Sequence, residues 1–293
     1  MQTLDIRFRT SRGKRRRQNE DAVLVRSKKQ ASGKGSPVYL LAVADGMGGA
    51  PGGRVAGREA VRSLGDTFAK DQKSNPQALL QDGFRSANAR IGRLAGQQPS
   101  LQGMRSTLVA VIVSKRQAWV ANVGDSRAYL IRNGQARRLT HDHTWVAEQV
   151  KSGQMTEEEA STSPRRNIIT RCVGSKETLN VDLLGPLSLQ PDDVMLLCSD
   201  GLTGVVSDAE IAAACSNTSA AAAAQELVSL ANRRGGSDDI SVVVGRAHDA
   251  ATETPTARSS PVARESEHRR RADDKHGCRT GFAFSLVSAR ACG

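Results

Sequence analysis

The sequence predicts an α+β sandwich with helices outside two packed antiparallel sheets, and three observations carry that reading. Residues 106–114, 117–122 and 127–131 are β-rich runs separated by turn signals too short to hold crossover helices, so they must pair antiparallel. Segments with helical spacing come in pairs, one early and one late, without the βαβ alternation of a Rossmann sheet. A chain of 293 residues with 38% hydrophobic content can bury one large core, enough for a domain of roughly 240 residues plus an extension.

Taken in order, residues 22–26 and 38–44 are apolar, β-prone runs that end at acidic or glycine-rich punctuation. Residues 54–70 place Val55, Ala56, Ala60, Val61 and Leu64 on one helical stripe. Residues 76–95 do the same with Leu79, Leu80, Phe84, Ala87 and Ile91, predicting two amphipathic helices over a sheet face. After the three strands, residues 144–153 read as a short helix and 156–171 as a polar, proline-containing excursion outside the core. Residues 194–199 and 240–244 are strands, and 208–215 and 220–232 are helical. From residue 249 the composition shifts to Thr, Ser, Pro, Ala and Arg, too poor in apolar groups to offset ordering entropy. The expected organisation is one domain over residues 1–248 and a disordered basic tail over 249–293.

No run approaches the ~18 to 20 apolar residues of a membrane-spanning helix, and no apolar segment follows the N-terminal arginines to act as a secretory signal. Cys172, Cys198, Cys215, Cys278 and Cys292 are scattered, odd in number and free of CxxC or Cys/His spacing, which favours a reducing cytoplasm. Cys198 lies in an apolar run and is expected to act as a small buried hydrophobe. A net charge of +12 invites a nucleic-acid reading. Against it, the basic excess sits near the N-terminus and in the tail, and 3% aromatic content leaves few stacking platforms.

Acidic residues recur beside glycine or small residues: Asn19-Glu20-Asp21, Asp45-Gly46, Gly124-Asp125-Ser126, Ser199-Asp200-Gly201 and Ser237-Asp238-Asp239. A single Asp-Gly is most often a turn. Three of these motifs close runs that should be buried, and clustered carboxylates at a core rim repel unless cations neutralise them. An all-oxygen set suits Mg²⁺ or Mn²⁺ rather than zinc. Two adjacent ions could activate one water and neutralise charge on a transferring phosphoryl group. One of Arg15, Arg16 and Arg17 could then grip the phosphate bidentately.

The rivals are weaker. Gly46-Met47-Gly48-Gly49 completes neither GxGxxG nor a GKS/GKT loop, so no nucleotide is expected. Ser126 and Ser199 lack a GxSxG setting. His141 and His143 read as structural or surface-loop residues, and Trp119 and Trp145 as packing residues.

From residue 4 to 246 the chain resembles the PP2C (PPM) family of metal-dependent serine/threonine protein phosphatases, bacterial type. The motifs that carry the resemblance are Arg16-Arg17-Gln18-Asn19-Glu20-Asp21, Val43-Ala44-Asp45-Gly46-Met47-Gly48-Gly49, Ser106-Thr107-Leu108-Val109, Val123-Gly124-Asp125-Ser126-Arg127, Leu197-Cys198-Ser199-Asp200-Gly201-Leu202 and Asp238-Asp239-Ile240-Ser241-Val242. It implies a four-layer αββα sandwich, with a flap over about residues 145–174 beside a metal cleft. It also implies hydrolysis of phosphoserine and phosphothreonine with two or three Mn²⁺ or Mg²⁺ ions.

By resemblance, Asp45 bridges two metals, Glu20 and the Gly46 carbonyl serve one, and Asp200 and Asp238 the other. Asp21 orients water, Arg16 binds phosphate, and Asp125 with Asp200 forms a third site that the backbone near Asn167 would complete. The implied partners are phosphoproteins, substrates of a cognate serine/threonine kinase, with the enzyme a cytoplasmic monomer.

Three positions depart from the family pattern. Met47 stands where many eukaryotic members have a histidine proposed as general acid, Arg105 where glycine is usual, and Asp239 where asparagine is common. Arg105 and Asp239 motivate an alternative, a catalytically weak phosphopeptide-binding member of the same fold. Asp239 is expected either to alter metal affinity or to face solvent.

Overall fold

The computed structural model describes residues 2–29, 36–49, 51–71, 75–175 and 178–249. The chain divides into two units, Met1–Ala251 and Thr252–Gly293, and every described residue lies in the first. The tail, with Cys278 and Cys292, lies outside the described residues.

One sheet takes the order β1 (Gln2–Ser11), β12 (Ile240–Asp249), β11 (Val194–Cys198), β8 (Arg127–Arg132), β9 (Gln135–Arg138). The second takes the order β10 (Asp182–Ser188), β7 (Gln117–Val123), β6 (Leu108–Ser114), β3 (Val38–Ala44), β2 (Ala22–Lys28). A two-stranded ribbon joins β4 (Gly46–Met47) to β5 (Arg105–Ser106). Every pairing is antiparallel.

Period-2 alternation sorts the side chains into three layers of core. On β3, Leu40, Ala42 and Ala44 face α1 (Gly52–Lys70) and α2 (Pro76–Gln97), while Leu41 and Val43 face the other sheet. On β12, Val242 and Val244 join α6 (Asp208–Cys215) and α7 (Ala220–Arg233), while Val243 points inward to Met195 and Leu197. Both faces of each sheet are covered, which is why these strands read as continuous apolar runs. The four-layer αββα expectation holds. Truncating Leu41, fully buried between the sheets, to alanine would cost about 2–5 kcal/mol.

Several elements depart from the sequence reading. β1 is an edge strand whose Leu4 and Ile6 reach the inter-sheet core. β9 is short and polar, and β10 holds Gly185 and Pro186 at a register shift on an edge, where a missing N–H is tolerated. The run 106–114 is broken at Thr107, whose N–H bonds to the Asp45 carbonyl instead of a ladder partner. The excursion after α3 (Trp145–Lys151) contains a helix, α4 (Glu157–Thr162), started by a capping box between Thr156 and Glu159. A further short helix, α5 (Asp200–Thr203), follows β11. Among the described residues no helix is long and apolar enough to cross a membrane.

Candidate active site

Strand register sets the acidic motifs at one end of the sandwich. Ala22 pairs with Ala44, Val43 with Val109 and Leu108 with Val123, so the start of β2 and the ends of β3 and β7 share an edge. In the other sheet Cys198 pairs with both Arg127 and Val242, bringing the residues after β11 and before β8 and β12 to one edge as well. Glu20 and Asp21, Asp45, Asp125, Asp200, and Asp238 and Asp239 are the residues that flank these strand ends.

Their fields reflect this proximity. The Asp45 carboxyl is pushed well above its usual range by desolvation, then by Asp21, Asp200, Asp125 and Asp238. Desolvation, with neighbouring carboxylates adding to it, raises Asp21 and Asp125 to about 8 and Asp200 to about 6. Burial also raises Glu20. Asp21, Asp45 and Asp200 keep some surface open to solvent, and the upward direction follows from burial first and the clustering of like charge second.

Hydrogen bonds fix this floor. The Asp45 N–H donates to Thr107 Oγ1 at 2.9 Å, Thr107 N–H returns to the Asp45 carbonyl at 2.8 Å, and Ser106 Oγ donates to that carbonyl at 2.9 Å. Thr107 Oγ1 lies 2.8 Å from Ser126 Oγ, tying β6 to the turn that holds Asp125. Ser199 Oγ donates to Asp21 Oδ2 at 2.8 Å and accepts from Ser241 N–H at 2.9 Å, so one hydroxyl joins three strand ends. Gly53 on α1 leaves room for Glu20, since a Cβ there would overlap the Glu20 carboxylate and stand 2.8 Å from the Gly46 carbonyl oxygen.

The residues fit divalent cations. Asp21 Oδ1, Asp125 Oδ1 and Asp200 Oδ1 are buried oxygens with no hydrogen-bond partner, and a hard cation satisfies such oxygens. No three His, Cys, Asp or Glu side chains among the described residues already close around one point as a cage. Electrostatic coupling reaches farther than ligand distance, so it establishes proximity rather than a finished shell. Arg16 accounts for part of the gap: its guanidinium holds Asp238 Oδ2 at 2.5 Å.

Of the site residues expected from sequence, Arg16, Glu20, Asp21, Asp45, Gly46, Asp125, Asp200 and Asp238 come together. Asn167 is exposed on the flap. Arg105 is exposed on β5 opposite Met47. Asp239 does not face solvent: it is 2% exposed and accepts backbone N–H donors on both oxygens. His143 is buried and accepts the Gly124 N–H on Nδ1 at 3.0 Å, a structural role that holds the turn before Asp125. Its Nε2 lies 3.2 Å from Asp182 Oδ2 without hydrogen-bond geometry, and burial lowers its pKa. The sequence reading gave Thr107, Ser199 and Gly53 no supporting role: Ser199 adjoins Asp200, but Thr107 and Gly53 meet Asp45 and Glu20 only in the folded chain.

A family model described as protein phosphatase 2C matches residues 7–149. The chain is 38% identical over 242 residues to the serine/threonine phosphatase stp of Listeria welshimeri, covering 81% of this chain and 93% of that one. Among solved structures, the serine/threonine phosphatase of S. agalactiae superposes with a TM-score of 0.76 at 35% identity, covering 83% of this chain and 99% of the other. The catalytic domain of PstP in complex with two manganese ions gives a TM-score of 0.73 at 32% identity, covering 85% and 100%. With matched sequence across nearly the whole of such relatives and the same sandwich beneath it, the chain belongs to the protein phosphatase 2C family.

Proposed function

We propose that this chain hydrolyses phosphoserine and phosphothreonine in proteins, dependent on Mn²⁺ or Mg²⁺. The observation that carries the reading is the gathering of unpartnered, buried carboxylate oxygens from both sheets beside one guanidinium, Arg16. When bound, the cations supply an activated water as nucleophile and neutralise charge on the phosphoryl group.

The chain's own residues do the rest. Asp45, Glu20, the Gly46 carbonyl, Asp200 and Asp238 would together hold two ions. Asp125 with Asp200 offers a third position. Asp21, oriented by Ser199, would position a water through its other carboxylate oxygen. Arg16, which pairs with Asp238 in the free protein, would bind the substrate phosphate by charge-assisted hydrogen bonds. Met47 has no exchangeable proton, so it is no counterpart of a histidine acid. The substrates are those of a serine/threonine kinase in the same cell, and the enzyme acts as a cytoplasmic monomer.

The test is phosphate release from phosphothreonine, phosphoserine and phosphotyrosine peptides with Mn²⁺, Mg²⁺ or chelator. Release from the first two with either metal, none with chelator, and none from folded Asp45→Asn or Asp200→Asn is the expected pattern. Full turnover in chelator, or in either variant, overturns the reading.

A further inference from the structure

Residues 12–21 join β1 to β2 and carry Arg16, Glu20 and Asp21, yet Lys14, Arg15, Arg16 and Arg17 are all exposed. Something outside the loop must hold it in register. Asp239 Oδ1 accepts the Gly13 N–H at 2.9 Å, and its Oδ2 accepts the Glu20 N–H at 2.8 Å, so one buried carboxylate grips both ends of the segment. The approach is close: a Cβ at Gly13 would overlap the Asp238 backbone carbonyl. Lys14 N–H adds a bond to the Gly236 carbonyl at 2.7 Å. The same residue sets Arg16's partner, because Asp239 N–H donates to Asp238 Oδ1 at 2.7 Å while Arg16 takes Asp238 Oδ2.

We propose that Asp239 is a positioning residue, a two-oxygen clasp that fixes the loop so that Arg16 stands where it can receive a phosphate. The inference rests on the phosphatase reading for what Arg16 does. It explains why the asparagine that the resemblance anticipates does not serve here. A carboxylate accepts on both oxygens, whereas an amide turns an NH₂ toward one of the two N–H donors. A negative clasp also suits a loop holding Arg12, Lys14, Arg15, Arg16 and Arg17, where a neutral amide gives no compensating charge.

The experiment is a double-mutant cycle of Asp239→Asn and Arg16→Ala at saturating Mn²⁺, read by kcat, KM for a phosphothreonine peptide and inhibition by inorganic phosphate. Asp239→Asn is expected to raise KM and the phosphate inhibition constant about tenfold, with kcat changed about threefold or less. In the Arg16→Ala background the same substitution should add less than about twofold, because the clasp acts through that side chain. Unchanged KM and phosphate inhibition, or an equal loss in both backgrounds, overturns the proposal.

Should Asp239→Asn fail to fold, amide hydrogen exchange in the unaltered protein decides. Slow exchange at both Gly13 and Glu20 is expected, and fast exchange at either overturns the clasp. An unaltered protein inert on every phosphopeptide would overturn the phosphatase reading instead. Calorimetry of inorganic phosphate binding to parent and variant then judges the clasp alone, with unchanged affinity overturning it and weakened affinity supporting it.

Discussion

Asp45 and Thr107 hold each other twice, through the Asp45 N–H to Thr107 Oγ1 at 2.9 Å and the Thr107 N–H to the Asp45 carbonyl at 2.8 Å. The threonine hydroxyl is the replaceable half of the pair. Thr107→Val keeps the shape but leaves the Asp45 N–H without an acceptor and strips Ser126 of its partner, costing about 1–3 kcal/mol of stability. Thr107→Ser keeps the oxygen. Thermal melts should separate the two variants, and turnover should fall further for valine because Asp45 shifts. Equal melts for both would mean the hydroxyl does not hold Asp45.

The metal-free protein should lose stability as pH rises. Desolvation and mutual repulsion raise the carboxyls, to about 6 for Asp200 and about 8 for Asp21 and Asp125. A raised carboxyl keeps its proton in the folded chain after the unfolded chain has lost it. Its contribution is therefore complete below the ordinary value of 3.8 and disappears as pH climbs through the folded values. Melting temperatures in chelator should fall between about pH 4 and pH 8, and Mn²⁺ should restore them. Asp45→Asn, with one charge fewer in the cluster, should melt higher than the parent in chelator and gain little from Mn²⁺. A metal-free melt that is level across this range would show that the carboxyls do not share a field.

Gly53 is a position where a single methyl would meet the carboxylate of Glu20. Alanine normally favours a helix interior by about 1 kcal/mol over glycine. In α1 the added Cβ would occupy the space of the Glu20 carboxylate, so Glu20 must move away from the Gly46 carbonyl. Gly53→Ala should raise the Mn²⁺ concentration for half-maximal activity by about tenfold or more, with a smaller loss of kcat at saturating metal. An unchanged metal requirement would remove Glu20 from the centre.

How much of this was legible in the sequence depends on how far each signal must travel. The inner sheet strands announced themselves as apolar runs because both faces are covered, and the acidic ends of those runs marked the site. β10 was hidden by Gly185 and Pro186, and β1 by arginines on its outward face, although Leu4 and Ile6 keep the alternation. The capping box at Thr156 and Glu159 was readable as S/T-x-x-E and would have put a helix in the excursion. The supports were not readable in this way. Thr107 reaches Asp45 across 62 residues of chain, Ser199 reaches Asp21 across 178, and Asp239 reaches Gly13 across 226. The first and third pairs exist only once distant strands pair within a sheet, and the second only once the two sheets are stacked.

Thiol chemistry should play no part in turnover. Cys198 is fully buried on β11, and desolvation pushes its thiol up to about 12; Cys215 at the end of α6 is pushed to about 12 by the same cause. A thiol in that range is protonated at neutral pH and is a poor nucleophile. Treatment of the folded protein with N-ethylmaleimide should leave metal-dependent phosphate release unchanged, and peptide mass mapping should find Cys198 and Cys215 unmodified until the chain is unfolded. Loss of activity that tracks alkylation of Cys198 would move the nucleophile from water to sulfur and displace the carboxylate centre from the mechanism.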